Sequence, residues 1–243
     1  MTANKLNDRA IIRLAATDDG EDVRGFLQGL VTNDVSGELP VYAALLSAQG
    51  KAMFDFFVWE GEDGVILLDC EAVVANDLAK RLSLYRLRRK IDIVRDETQA
   101  VFWSREMFDG AKPDPRLSHL GYRAVAARSE AEPADQEYLA HRLSLGVPEG
   151  RSELADILWL ETNAVELHGV SFEKGCYVGQ ENTARMNWRQ KVNRRLVVVP
   201  LERSEEKRRK ASYPDLGLAI DHLRVADLDP ATLPQWQAAG IAE

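Results

Sequence analysis

Residues 174–181, with the sequence KGCYVGQE, bring together side chains whose types and spacing could do chemistry. Cys176 lies between Lys174 and Tyr177, and a nearby positive charge favours the thiolate form of a cysteine. Gly179 permits a positive φ and a close approach of the backbone to a ligand. The segment therefore indicates a reactive thiol on a glycine-flanked loop, with Cys176 and Lys174 as the residues expected to act in the chemistry.

Three further polar residues follow in the chain. Gln180 supplies an amide, Glu181 a general acid or base, and Arg185 a fixed cation suited to a ligand carboxylate. A plainer interpretation is equally open: the glycines serve a turn, the cysteine is packed, and the charges pair with each other. Clustered polar groups mark functional sites only part of the time, so the residues alone do not decide between the two.

Composition narrows the classes of partner. The chain has 243 residues and a formal net charge of −8, which argues against broad nucleic-acid binding, because such binding neutralises phosphates with basic side chains. No apolar run reaches the ~18 residues that span a membrane, so no membrane partner is predicted. The start, MTANKLNDRA, lacks the apolar core of a secretory signal, which predicts a cytoplasmic location. The two cysteines fit neither a disulfide framework nor a zinc pattern, and no metal site is predicted.

Apolar periodicity predicts the elements that must position this segment. Strands are predicted at 9–15, 41–47, 52–59, 65–70, 91–96, 100–104 and 121–127, and helices at 20–30, 71–88 and 134–145. Asp18 or Asp19 is the predicted cap of the first helix. The order of strands and helices predicts helices packed on a largely antiparallel sheet, which is an α+β architecture.

The end of the chain is predicted to be a separate, smaller unit. Residues 1–195 form the first predicted domain and residues 196–243 the second. The second contains two strand-like runs, LVVVPL and LGLAIDHL. Between them, SEEKRRK mixes opposite charges, which is typical of a solvated surface turn.

The run KGCYVGQE, followed by Ala184 and Arg185, closely resembles the signature of the YgfZ family of folate-binding iron–sulfur cluster proteins. Three other stretches are similar to that family in order and spacing: FLQGLVTNDV at 26–35, LLSAQGKAMFDFFV at 45–58 and YRLRRKIDI at 85–93. The family is related to the T-protein of the glycine cleavage system, an aminomethyltransferase that uses tetrahydrofolate. The resemblance covers about residues 10–200.

The resemblance implies a fold and a ligand. The fold would be folate-binding α+β modules around a central opening, followed by a C-terminal β-barrel that is short and expected to be truncated. The ligand would be tetrahydrofolate, with its pterin in the opening. Glu161, in LWLETN, is similar to the glutamate that T-proteins place against the pterin, where a carboxylate accepts two N–H bonds. Asp55, in MFDFFV, lies one residue from the functional aspartate of T-proteins.

Both carboxylates have an ordinary alternative. Glu161 could be an exposed helix carboxylate, and Asp55 a strand residue on the solvent face. Asn33 and Asp34 could form a turn or line the opening. The residues that the resemblance assigns to the cofactor are Glu161, Tyr177, Gly179, Gln180, Glu181, Arg185, Asn33 and Asp34, and Asp55 joins Cys176 and Lys174 in the chemistry.

The leading functional hypothesis is a tetrahydrofolate-binding accessory factor for iron–sulfur cluster assembly or repair, with Cys176 as its functional thiol. Its partners would be iron–sulfur client or assembly proteins. The alternative is a tetrahydrofolate-dependent enzyme related to aminomethyltransferases, although T-proteins lack the KGCY motif. A further alternative is a scaffold that has lost folate, in which side chains would fill the opening. The resemblance leaves open whether the chain catalyses a turnover reaction.

Overall fold

The structure is a computed structural model that describes residues 4–189 and 192–241. Its strands are β1 (Asn4–Leu6), β2 (Arg9–Ala16), β3 (Val41–Leu46), β4 (Ala52–Glu60), β5 (Ile66–Glu71), β6 (Ile91–Asp96), β7 (Gln99–Ser104), β8 (Lys112–Pro113), β9 (Tyr122–Ala127), β10 (Arg194–Pro200), β11 (Arg209–Tyr213) and β12 (Leu218–Arg224). Its α-helices are α1 (Val23–Gln28), α2 (Ala75–Arg86), α3 (Asp135–Ser144), α4 (Arg151–Leu154), α5 (Gln180–Arg189) and α6 (Gln235–Ala239).

A five-stranded antiparallel sheet, in the order β3-β4-β5-β2-β6, forms the first layer. Side chains alternate across it, since successive residues of a strand point to opposite faces. Ile12 and Phe56 pack with α1 and α2 on one face, while Ile11 and Phe57 belong to a second core on the other. The sheet is therefore buried on both faces, which explains why its strands are almost continuously apolar.

A four-stranded antiparallel sheet, β1-β7-β9-β8, contributes to the second core. Val101 and Trp103 of β7 join Phe57 of the first sheet in that core, together with Trp159 from a short 3-10 turn at Trp159–Thr162. The indole of Trp103 donates to the carbonyl of Leu120 at 2.8 Å. The second core thus ties both sheets to the segment that leads into residues 174–181.

The predicted α+β architecture with a largely antiparallel sheet is confirmed, with differences in detail. The side chain of Asp22, and not Asp18 or Asp19, caps the first helix by accepting from Gly25 N at 2.8 Å. Arg209 and Lys210, the last two residues of the predicted surface turn SEEKRRK, instead begin strand β11, which continues to Tyr213. The sequence hides this strand because its side chains are mostly polar and only half-buried, so that no apolar run marks it.

The C-terminal residues form a three-stranded antiparallel sheet, β10-β12-β11. Leu196 and Ile220 of this sheet are buried in the second core. Among the described residues the sheet does not close into the barrel that the sequence resemblance implied. No helix in the described part of the chain has the length and apolar character needed to cross a membrane.

Candidate functional site

Lys174 fixes the start of the KGCYVGQE segment to a distant part of the chain. Its ammonium donates to the carbonyl oxygens of Gln28 at 2.6 Å and Asn33 at 3.1 Å, and to that of Val31. The residue is only 8% exposed. Burial lowers the pKa of this ammonium to about 8, an effect that the Asp34 carboxylate opposes. The ammonium of Lys174 therefore donates to backbone carbonyls. Its expected effect on the reactivity of the Cys176 thiol stays a prediction.

Tyr177 and Val178 anchor the middle of the segment. Tyr177 is buried in the second core, and Val178 packs against the core beneath α1 and α2. The Lys174 ammonium lies 5.2 Å from the centre of the Tyr177 ring, a distance at which a cation and an aromatic face attract each other. Burial raises the pKa of the Tyr177 hydroxyl to about 12. This side chain is therefore neutral and serves as an apolar anchor.

Gly179 packs directly on the hairpin between β3 and β4. Its φ is +82°, and a Cβ there would lie 2.5 Å from the carbonyl oxygen of Ser47 and 3.1 Å from Cα of Gly50. Asn182 reinforces the contact by donating from Nδ2 to the carbonyl of Gln49 at 2.8 Å. The position thus requires glycine for two reasons, its backbone conformation and the close approach of a second chain segment.

Cys176 itself is exposed, in contrast to the anchors on either side of it. Gly175 is also exposed, and nothing lies within 4 Å of where its Cβ would be. The buried Cys70 on β5 differs, because burial raises the pKa of its thiol to about 12. The chain therefore presents one accessible thiol on a short loop that is fixed at both ends.

The residues after the loop begin helix α5. Gln180 starts the helix and donates its backbone amide to the carbonyl of Tyr177 at 3.3 Å. Glu181 and Arg185 form an ion pair of 2.9 Å across one helical turn, with side chains that are 87% and 53% exposed. These two charges pair with each other, as in the plainer interpretation of the sequence, and their role toward a cofactor stays a prediction.

Asn33 and Asp34 build the turn that receives Lys174. Asn33 donates from Nδ2 to the carbonyls of Tyr42 at 2.8 Å and His168 at 2.7 Å. One carboxylate oxygen of Asp34 accepts from the amide and hydroxyl of Ser36, and these bonds hold the pKa of Asp34 below its usual value. Of the two expectations for this pair, the geometry favours the turn.

Asp55 lies on the inner face of the five-stranded sheet. It is 5% exposed and accepts from the Tyr42 hydroxyl at 3.1 Å and the Gly150 amide at 3.3 Å. Burial, with repulsion from Glu149, raises the pKa of Asp55 to about 6. A solvent-facing position for Asp55 is wrong, because the sheet is covered on both faces. A role for this carboxylate in folate chemistry stays a prediction.

Buried charges extend from Asp55 between the two larger sheets. Asp69 of β5 accepts from Arg9 Nε at 2.6 Å and from Arg123 Nη1 at 2.8 Å. The two guanidiniums lie 5.6 and 4.2 Å from the centre of the Phe57 ring. All three charged residues are buried, so each charge depends on its partners and not on water.

Loop residues complete this buried network. Arg116 donates from Nη2 to Asp114 at 2.8 Å and from Nη1 to Glu149 at 2.6 Å. Tyr138 of α3 donates its hydroxyl to the same Glu149 oxygen at 2.6 Å. Burial acts to raise the pKa of Glu149, but the guanidiniums of Arg116 and Arg9 hold it well below its usual range.

Sequence reasoning missed this network entirely. Its members come from residues 9 to 149, and apart from the neighbours Asp114 and Arg116 they lie far from their partners in the chain. The one available signal was Asp69, a carboxylate inside the apolar run VILLDCE. A charge in such a run is rarely buried without a partner, so it predicts a buried cation without identifying which.

A cavity of about 330 Å³ opens beside the network and is the candidate for the predicted central opening. Its lining includes Arg9 and Glu71 from the first sheet, Tyr138 from α3 and Tyr213 from β11. One oxygen of Glu71 accepts from the Arg151 amide at 2.8 Å. The volume falls in the range of small-molecule pockets, roughly 300–1,000 Å³.

Glu161 is not among the residues that line this cavity. Its carboxylate accepts from His222 Nε2 of β12 at 2.9 Å, and both side chains are mostly buried. The exposed helix carboxylate does not describe this arrangement, which joins the first part of the chain to the C-terminal sheet. The expected contact of Glu161 with a pterin stays a prediction. Within residues 4–189 and 192–241, no group of three or more His, Cys, Asp or Glu is arranged to hold a metal ion.

Comparisons with known proteins bear on the resemblance. A scan against models of protein families finds no match. The chain is 32% identical to the mitochondrial iron–sulfur cluster assembly factor IBA57 of Mus musculus, over 83% of this chain and 66% of that protein. It is 32% identical to the Homo sapiens protein, over 80% and 65%, and 30% identical to the Neurospora crassa homologue, over 79% and 52%. The chain thus spans between about half and just under two thirds of these relatives.

A solved structure supports the fold. The glycine cleavage system aminomethyltransferase T from Bartonella henselae matches with a TM-score of 0.64, over 93% of this chain and 78% of that one. The sequence identity is 12%, so the match concerns the fold alone. The T-protein-like fold is therefore confirmed, whereas the described residues show no closed C-terminal barrel.

The relatives also correct one expectation. They are named as mitochondrial proteins, so the predicted cytoplasmic location is wrong. That prediction depended on the absence of an apolar secretory segment at the start of the sequence, which carries no information about a mitochondrial address. The chain is a homologue of the iron–sulfur cluster assembly factors named IBA57, built on the fold of aminomethyltransferase T.

Proposed function

We propose that this chain is an iron–sulfur cluster assembly factor, related to the YgfZ family, that works through Cys176. The observation that carries the proposal is the exposed thiol between two buried anchors, Lys174 and Tyr177. A thiol that only packed a core would be buried, as Cys70 is. The names of the relatives indicate what the thiol would act on, because each relative is called an iron–sulfur cluster assembly factor.

The number of ligands that an iron–sulfur cluster needs defines how many a partner protein must supply. Iron–sulfur clusters are held by about four cysteine thiolates, and each thiol loses its proton when it binds iron. Cys176 supplies one thiolate, and Cys70 is buried within a strand. The remaining ligands therefore come from a client or assembly protein that docks over the loop. Trp188, which is 74% exposed on α5, offers that protein an apolar contact.

Complementation tests the thiol. In cells that lack their own relative of this chain, Cys176→Ser is expected to abolish rescue of an iron–sulfur enzyme, because serine is a much poorer ligand for iron. Cys70→Ala is the matched control and is expected to retain rescue, since its thiol is buried away from any partner. Full rescue by Cys176→Ser would remove the thiol from the function.

Tetrahydrofolate is the proposed ligand of the cavity beside the buried network. The residues fit an aminopyrimidine edge, which presents N–H donors, because Glu71 lines the cavity and only one of its oxygens has a backbone donor. Tyr138 and Tyr213 supply aromatic surface there. In this proposal Glu71 takes the role that the resemblance to T-proteins implied for Glu161. When bound, the folate would supply one-carbon chemistry.

Calorimetry with tetrahydrofolate tests the ligand. Binding to the wild-type chain is expected, with roughly tenfold weaker binding for Glu71→Gln, because an amide oxygen accepts less strongly than a carboxylate. Glu161→Gln is the control and is expected to bind as the wild type does. No heat at saturating folate would favour the scaffold alternative. The aminomethyltransferase alternative has less support, since Asp55 is buried against Tyr42 and Gly150.

A further inference from the structure

The Lys174 ammonium has no donor left for the thiol that it precedes. An ammonium carries three N–H groups, and the three carbonyls of Gln28, Val31 and Asn33 accept all of them. The side chain is buried, and the face of the Tyr177 ring lies beside its charge. The contacts of Lys174 thus run from the start of the loop into the segment 28–33.

That receiving segment is itself fixed to the chain just before the loop. The hydroxyl of Thr32 donates to the carbonyl of Gly169 at 2.7 Å, and the amide of Ser171 donates to the carbonyl of Thr32 at 3.0 Å. The Asn33 side chain donates to the carbonyl of His168 at 2.7 Å. Four residues of the segment 168–174, namely His168, Gly169, Ser171 and Lys174, are therefore hydrogen-bonded to residues 28–33.

The loop between its anchors has little else to hold it. Gly175 and Cys176 are exposed, and space is open around Gly175. A glycine next to the thiol leaves that backbone many conformations unless both ends are fixed. Gly179 and Tyr177 fix the later end against the β3–β4 hairpin and the second core. Lys174 is the corresponding anchor at the earlier end.

We propose that Lys174 is a positioning residue, which ties the loop to residues 28–33 and so holds the Cys176 thiol at one place on the surface. The proposal rests on the function proposed above, since a shared cluster needs its ligands at fixed separations. It replaces the expected electrostatic role of Lys174 with a mechanical one. The lysine acts on the thiol through the backbone, because its three N–H groups are all donated to carbonyls of residues 28–33.

Distances between two spin labels measure this positioning directly. One label is attached to Cys176 and the other to a cysteine introduced by Lys80→Cys, an exposed site on α2, in a Cys70→Ala background. The labelled chain that keeps Lys174 is expected to give a narrow distribution of distances between the two labels. Lys174→Met keeps the length of the side chain but removes the donors, and is expected to broaden the distribution at least about twofold.

Two further variants make the result specific. Lys210→Met is the matched control, because Lys210 donates to a single backbone carbonyl, that of Ala155 at 3.0 Å, and its loss is expected to leave the width unchanged. Lys174→Arg keeps charge and donors and is expected to give an intermediate width. It also provides the measurement if Lys174→Met does not fold. A width equal to the wild type in both Lys174 variants would overturn the proposal.

The labels separate this proposal from the function of the thiol. If Cys176→Ser fails to complement while the Lys174 variants keep a narrow distribution, the thiol functions without the positioning role, and this inference is wrong. If the Lys174 variants broaden the distribution while Cys176→Ser complements fully, the positioning stands and the thiol function fails. Lys174→Met that broadens the distribution and also loses complementation supports both.

Discussion

Arg116→Met is expected to destabilise the chain by roughly 3–5 kcal/mol, because it removes from two buried carboxylates the guanidinium that lies nearest to each of them. The Arg116 guanidinium is 0% exposed and bonds Asp114 at 2.8 Å and Glu149 at 2.6 Å. Methionine fills much of the same space, so the loss is mainly electrostatic. The free energy of unfolding of a folded domain is about 5–15 kcal/mol, so the expected loss is a large fraction of the stability of the chain. Urea denaturation followed by circular dichroism measures it.

A surface pair provides the comparison for this variant. Arg105 and Glu137 form an ion pair of 3.2 Å, with side chains that are 56% and 50% exposed. Arg105→Met is expected to change the free energy of unfolding by less than about 1 kcal/mol, because water replaces the lost partner. Similar effects of the two substitutions would mean that Arg123 and Arg9 alone compensate the buried carboxylates.

The same network shows where sequence reasoning ends. Short apolar runs bounded by turn residues located most of the strands, because each strand carries its own local signal. The buried charges carry no such signal, since Arg9 finds Asp69 only after two strands pair and Arg116 reaches Glu149 only across loops. Local pattern therefore predicted the elements, while the charged interior depends on tertiary packing.

The site divides in the same way. The motif KGCYVGQE identified Cys176 as the thiol to examine, and the structure exposes it. The sequence could not tell that Lys174 points into carbonyls of residues 28–33, because its acceptors lie about 140 residues away in the chain. In the same way, the sequence could not tell that Glu161 pairs with His222, a residue to which sequence analysis gave no role. The residue types indicated which side chains could act at the site. Only the fold determined which other residues of the chain those side chains contact.

Gly179→Ala is expected to disable the loop as well as destabilise the chain. The added Cβ would meet the carbonyl oxygen of Ser47 at 2.5 Å, a backbone atom that cannot move without shifting the β3–β4 hairpin. The φ of +82° adds backbone strain for any residue with a side chain. Strain and overpacking together are expected to cost about 3 kcal/mol, measured as the change in the free energy of unfolding. Complementation is expected to be lost, since the loop detaches from the hairpin.

Gly175→Ala, four residues earlier in the same motif, is the matched control. Nothing lies within 4 Å of its Cβ position, and its φ is not positive, so alanine is accommodated without strain. It is expected to leave the free energy of unfolding within about 0.5 kcal/mol of the wild type, as for most surface substitutions. If Gly175→Ala is as damaging as Gly179→Ala, the motif needs backbone freedom beside Cys176 and not only the close contact with the hairpin. If neither is damaging, the fixed position of the loop is unnecessary for function.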